Sequence, residues 1–195
     1  MATLQADTHV GRIEAGDALL AAAETVDVKV LAKKFTTFRA CHKALVEATE
    51  ALSTAEARFA SAQHAVAEAD VTQDATVDSL ASALVGIGQP RTRPFAGLCT
   101  HAPSALKVIG YEAEAKEIKK LVGKVRKREH LTAPVTAACK DAERAASAVL
   151  VRRVPSEKAR ARCMRSRQSR RVAANMTPRI DVSIVPSQPF RDHPW

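Results

Sequence analysis

Residues 31–69 read LAKKFTTFRACHKALVEATEALSTAEARFASAQHAVAEA, and the spacing of their apolar side chains decides the fold. Every seventh residue from the first is large and apolar: Leu31, Phe38, Leu45, Leu52, Phe59 and Val66. Three positions further on stand Cys41, Ala48, Ala55, Ala62 and Ala69, all small, with Lys34 the exception. A helix gathers residues three, four and seven apart onto one face, so this pattern predicts a long amphipathic helix whose stripe another helix must cover. The alanines leave room for a partner's bulky side chains. Lys33, Arg39, Lys43, Glu47, Glu50, Glu56, Arg58 and Glu68 lie off the stripe.

A second seam starts at Tyr111 and runs through Ile118, Val125, Thr132, Cys139 and Ala146, with Leu121, Val135, Ala142 and Val149 at its companion positions alongside Glu114 and Arg128. The expected fold is therefore all-α, an antiparallel helical bundle of coiled-coil character. It is built on two long helices, about 28–69 and 111–150, with shorter helices added. Pro134 removes a backbone donor and predicts a kink or restart near Leu131–Ala133, with Thr132 as its N-cap. Charge sets the orientation. Lys116, Lys119, Lys120, Lys124, Arg126, Lys127 and Arg128 would lie beside Glu47, Glu50, Glu56 and Glu68 in an antiparallel pair, and beside Lys29, Lys33, Lys34, Arg39 and Lys43 in a parallel one. Pairing the two helices midpoint to midpoint makes facing residue numbers sum to about 180 and sets Cys41 opposite Cys139.

Around these, residues 7–26 read as a first helix capped by Asp7 or Thr8, with Val10, Ile13, Leu19, Leu20 and Ala23 as its apolar face and Gly11 and Gly16 weakening it. Its repeat is out of phase with the long seam, so a break or stutter is expected around Glu24–Val28. Asp70 to Asp74 are expected to close the long helix and cap a shorter one through Val77, Leu80, Ala81, Leu84 and Val85, which Gly86 and Gly88 stop. The segment 86–110 is rich in proline and glycine and reads as a functional loop or a linker. Ser104–Ile109 offer one helical turn within it.

Composition changes near Leu150. The chain carries a net charge of +9, yet residues 1–151 are close to neutral. Residues 152–195 are dominated by arginine, with Glu157, Asp181 and Asp192 as their acids. A helical domain over 1–151 is thus expected to be followed by a basic C-terminal extension, 152–195, partly disordered, in which Ser156 caps a basic helix through Ala174. No apolar run is long enough to cross a bilayer, and MATLQADTHV lacks a secretory pattern, so a cytoplasmic protein is expected. Cys41, Cys99, Cys139 and Cys163 are far apart with no CxxC pair, and read as free thiols.

Chemistry is sparse along the chain. No glutamate has a histidine three residues on, which removes a di-iron bundle. Cys99 and His101 have no further ligands at zinc-site spacing, and Cys41-His42 lacks a visible acidic orienter. Gly86-Ile-Gly88 lacks the lysine of a phosphate loop, and no paired carboxylates with a pocket stand out. No cofactor, metal or catalytic residue is expected, and an enzyme is not. The expected function is a non-enzymatic structural or protein-interaction module that self-associates or binds another helical protein. Its core seam is Leu31, Phe38, Cys41, Leu45, Leu52, Phe59, Val66, Ile118, Leu121, Val125, Val135 and Cys139. The alternative is a nucleic-acid-associated protein whose tail arginines, Arg152, Arg153, Arg160, Arg162, Arg165, Arg167, Arg170 and Arg171, neutralise phosphates. Arg91 and Arg93, between Pro90 and Pro94, with Phe95 directly after, suggest a short extended ligand for a partner's groove.

Overall fold

The computed structural model describes residues 8–25, 32–129 and 131–176. Helix takes up 83% of them, and none lies in a strand. The elements are α1 (His9–Glu24), α2 (Ala32–Gly86), α3 (Pro103–Leu106), α4 (Tyr111–Arg126) and α5 (Ala133–Met176). The fold is an all-α bundle in which α2 and α5 pack extensively. Contacts divide the chain into two units, Met1–Leu52 with Ser166–Trp195, and Ser53–Arg165. This division does not follow the expected boundary at 151/152. Leu31, at the head of the expected seam, lies outside the described residues.

In the first unit, Thr8 caps α1 by accepting the Gly11 N–H at 3.0 Å. The helix ends at Glu24, inside the expected break. Its buried residues are Gly11, Ala15 and Gly16, whereas Val10 of the expected apolar face is 63% exposed. Ile13 and Ala48 pack against a small core of Leu45, Ala173 and Ala174, and the Arg12 guanidinium reaches the Ala174 carbonyl at 3.5 Å. The described part of the arginine segment is thus helix, and its last turns help to build a core.

In the second unit, α2 runs through the stretch where a break was expected. Val66, Ala69, Gln73, Val77, Leu80 and Leu84 are all buried, so the stripe keeps its helical phase across Asp70–Asp74. Thr72 Oγ1 donates back to the Glu68 carbonyl at 2.9 Å, the bond of a mid-helix threonine rather than of a cap. The end comes at Gly88 (φ +96), with Gly88 N–H on Val85 O and Gln89 N–H on Leu84 O. That is a Schellman closure around a left-handed glycine.

The expected single helix over 111–150 is a hairpin of two. Arg153 Nη1 lies 2.8 Å from Glu112, and Arg126 Nη2 lies 2.6 Å from Glu143, so α4 and α5 run antiparallel. The restart expected near Leu131–Ala133 is a full reversal of direction between the end of α4 at Arg126 and the start of α5 at Ala133, and Thr132 O accepts the Thr136 N–H as α5 begins. The partner that runs against α2 is α5: Arg152 donates to Ala65 O at 3.2 Å. Under the expected register Ala65 would have faced Ala115. The register that set Cys41 opposite Cys139 is therefore not the one found between α2 and α5 in this unit. In the basic block of α4, Lys120 pairs with Glu117 of its own helix and Arg126 with Glu143 of α5, rather than with the acidic residues of α2.

Pro155 falls inside α5 and does not interrupt it. Both it and Val151, whose carbonyl loses a donor, are exposed, so the missing bond falls at the surface and not in the core. The core of this unit joins Val77, Leu80 and Leu84 of α2 to Ile118, Leu121 and Val125 of α4, and to Val135, Cys139 and Ala146 of α5. Phe95, Leu98 and Leu106 complete it. The 86–110 segment is therefore a plug on one core, and the linker reading is set aside.

Candidate functional site

The expected site residues fall into separate places. Phe95 is 2% exposed within the core, so it cannot serve as the anchor of a partner ligand. Arg91 and Arg93 beside it are exposed. In α5, Arg152 is committed to Ala65 and Arg153 to Glu112 and Glu157. Arg160, Arg162, Arg165, Arg167 and Arg171 are exposed along the same helix, and Arg170 is half-buried. Arg170 and Arg12, after burial, help to hold the His9 imidazole below its ordinary pKa.

Of the core seam, Phe38, Leu45, Leu52, Val66, Ile118, Leu121, Val125, Val135 and Cys139 are buried. Cys41 is half-buried. Phe59 is half-buried too, because it lines an open groove of about 840 Å³ with Tyr111, Lys116, Arg153 and Arg160.

Cys41, a seam residue, is less buried than its neighbour His42. The imidazole, not the thiol, is the packed group. His42 is 4% exposed, stacks on Phe38 with ring centroids 5.9 Å apart, and meets Asp17 Oδ1 at 2.8 Å through Nε2. An acidic orienter therefore exists, contributed by α1. Cys99 Sγ accepts the His101 N–H at 3.4 Å in a local turn.

The most unusual chemistry lies where helix closure was expected. Asp70 and Asp74 of α2 and Glu114 of α4 bring carboxylate oxygens within 4.8 Å of one another. Glu114 is 1% exposed and the neighbouring Gln73 is 0% exposed. Neither Gln73 Nε2 nor Gln73 Oε1 has a hydrogen-bond partner, and the same holds for Glu114 Oε1 and Asp74 Oδ1. Burial raises the Glu114 pKa; Gln73 and Lys107 oppose the rise, and Asp74 and Asp70 add to it. Burial raises the Asp70 pKa as well, helped by Asp74. Lys107, the cation that acts on Glu114, pairs its ammonium with Asp78 at 2.7 Å.

Sequence reasoning missed this cluster because it took Asp70 and Asp74 as cap residues. The available signal was Gln73 at a core position of an unbroken stripe, where a polar residue needs a reason. Glu114 gave the matching signal, one turn before Ile118 on the second seam. Compared with known proteins, the chain matches no family model, no curated protein and no solved structure.

Proposed function

We propose that the protein is a non-enzymatic helical module that works by protein–protein association, first of all with itself. The observation that supports this most is on the outer side of α5. Val151 and Val154 are 71% and 50% exposed, and Ala161, seven residues beyond Val154, is exposed as well. Three- and seven-residue spacing of apolar groups on the outside of a long helix is the pattern that a second helix covers. The expected cytoplasmic location belongs with this reading. All four cysteines are free, as a reducing compartment keeps them, and no described helix is long and apolar enough to cross a membrane.

Sedimentation equilibrium of the full chain tests the reading. It is expected to show a dimer or larger species at high micromolar concentration, reduced to monomer by Val151→Glu with Val154→Glu. A strictly monomeric wild type would contradict self-association.

One observation favours a second reading, nucleic-acid association. Lys158, Arg162 and Arg165 stand exposed at i, i+4 and i+7 on α5, and such a row of cations on one helix face is suited to phosphates. With one Trp and one Tyr in the chain, bound nucleic acid would dominate the ultraviolet spectrum. A protein-like spectrum after purification at low salt would count against it.

A further inference from the structure

We propose that Asp70, Gln73, Asp74 and Glu114 form a binding site for one hard divalent cation of the calcium, magnesium or manganese type. The three carboxylates come from two helices and bring oxygens within 4.8 Å of one another. That is the span of opposed ligands around an ion with bonds of about 2.4 Å. Every donor is oxygen, which suits hard cations and disfavours zinc or copper, whose sites draw on imidazole and thiolate.

The acidic residues alone would not make this a site. Gln73 does. Its amide is fully buried beside Glu114, close enough to lower that carboxyl's pKa as a hydrogen-bond donor would, yet neither of its polar atoms reaches a partner at full hydrogen-bond geometry. A buried amide without a well-formed hydrogen bond is costly. An ion at the centre of the cluster gives Gln73 Oε1 a ligand role and satisfies the bare Glu114 Oε1 and Asp74 Oδ1 in the same step. The surrounding side chains are apolar, with Val77 and Ile118 each within a turn of a cluster residue and fully buried. Negative charge here has little internal compensation, since Lys107 is held by Asp78. Asp70 and Asp74 are only half-buried, which leaves an approach for the ion and room for water to complete its coordination.

The test uses the full chain freed of metal by chelator. Manganese(II) titration followed by electron paramagnetic resonance is expected to show one ion bound per chain and displaced by calcium. Thermal melts are expected to shift upward and saturate as calcium is added. Glu114→Gln keeps the shape of the side chain and removes its charge. It should melt in chelator at the wild-type temperature or above, and should lose both the manganese signal and the calcium shift. Asp70→Asn, at a half-exposed position, should weaken binding at least tenfold and serves if Glu114→Gln does not fold. The proposal is overturned if no ion binds at millimolar concentration. It is equally overturned if a folded variant responds to manganese and calcium as the wild type does, since that response would come from other surface acids.

Discussion

His42 lies over Gly16 so closely that a Cβ built on the glycine would fall 2.3 Å from Nδ1 of the imidazole. The glycine that weakens α1 as an isolated helix is therefore the space in which a buried side chain of α2 sits. Asp17, the next residue, holds the far side of the same ring at 2.8 Å. Helix propensity is given up here for a close approach.

Gly16→Ala should accordingly destabilise the first unit by about 1–3 kcal/mol, the usual cost of overpacking. In a His42→Ala background the clash is gone, and the same change should be neutral or stabilising by up to about 1 kcal/mol through helix propensity. Chemical denaturation of the four proteins in this cycle measures the coupling. Equal effects in both backgrounds would show that the contact does not constrain position 16.

Leu45 is fully buried against Ala173 and Ala174. From the seams alone, a fragment ending at residue 151 would be expected to fold unaided. The packing predicts otherwise. Removing Ala173 and Ala174 uncovers Leu45 and Ile13, so the fragment should lose helical signal and become open to trypsin at Lys33–Lys43. Leu45→Ala in the full chain should cost about 2–5 kcal/mol. A truncated protein with full helicity per residue would contradict this.

The raised pKa of Glu114 gives a pH dependence of known sign. Burial makes the folded protein hold this proton more tightly than the unfolded chain does. The group therefore contributes stability that is complete below its unfolded pKa and is lost as pH rises through the folded one. Asp70 acts in the same sense. With divalent cations chelated, the melting temperature should fall as pH rises from the ordinary glutamate range toward neutrality. Glu114→Gln should flatten that slope, and melts across this range measure it. An identical slope in wild type and variant would remove Glu114 as the cause.

Thiol reactivity should divide in two. Cys139 and Cys163 are buried, and Cys41 and Cys99 are half-buried. Burial also pushes the Cys139 thiol above its usual range, which lowers its thiolate fraction further. A thiol-reactive dye should label Cys41 and Cys99 first and Cys139 last, as peptide mapping would report. Early labelling of Cys139 would mean that the core of the second unit opens readily.

The all-α bundle was legible because large and small residues repeat at helical spacing along 31–69, a local signal that no distant contact has to supply. Helix ends were not, since they depend on packing. Asp70 and Asp74 look like stop signals in isolation, and the buried run from Val66 to Leu84 overrides them. The register failed for the same reason. Midpoint pairing places Phe59 and Val154 at the centres of the observed α2 and α5, within about one turn of the Ala65–Arg152 contact. Applied to helices taken as ending at 69 and 150, it missed by far more. The carboxylate cluster was hidden because Glu114 is remote in sequence from Asp70 and Asp74. The arginine segment misled by composition, since its buried Cys163 and half-buried Ser156, Ala159 and Ser166 form a sparse, small-residue stripe.

That α5 continues as packed helix through the arginine segment is the claim on which the bundle and its exposed face both depend. Hydrogen exchange of the full chain, read by mass spectrometry over residues 152–165, tests it most directly. Amides there should exchange slowly, with protection approaching that of 140–150, because they lie in one helix anchored by Arg152 on Ala65 and Arg153 on Glu112. Exchange at the rate of an unstructured chain from residue 152 onward would contradict the account.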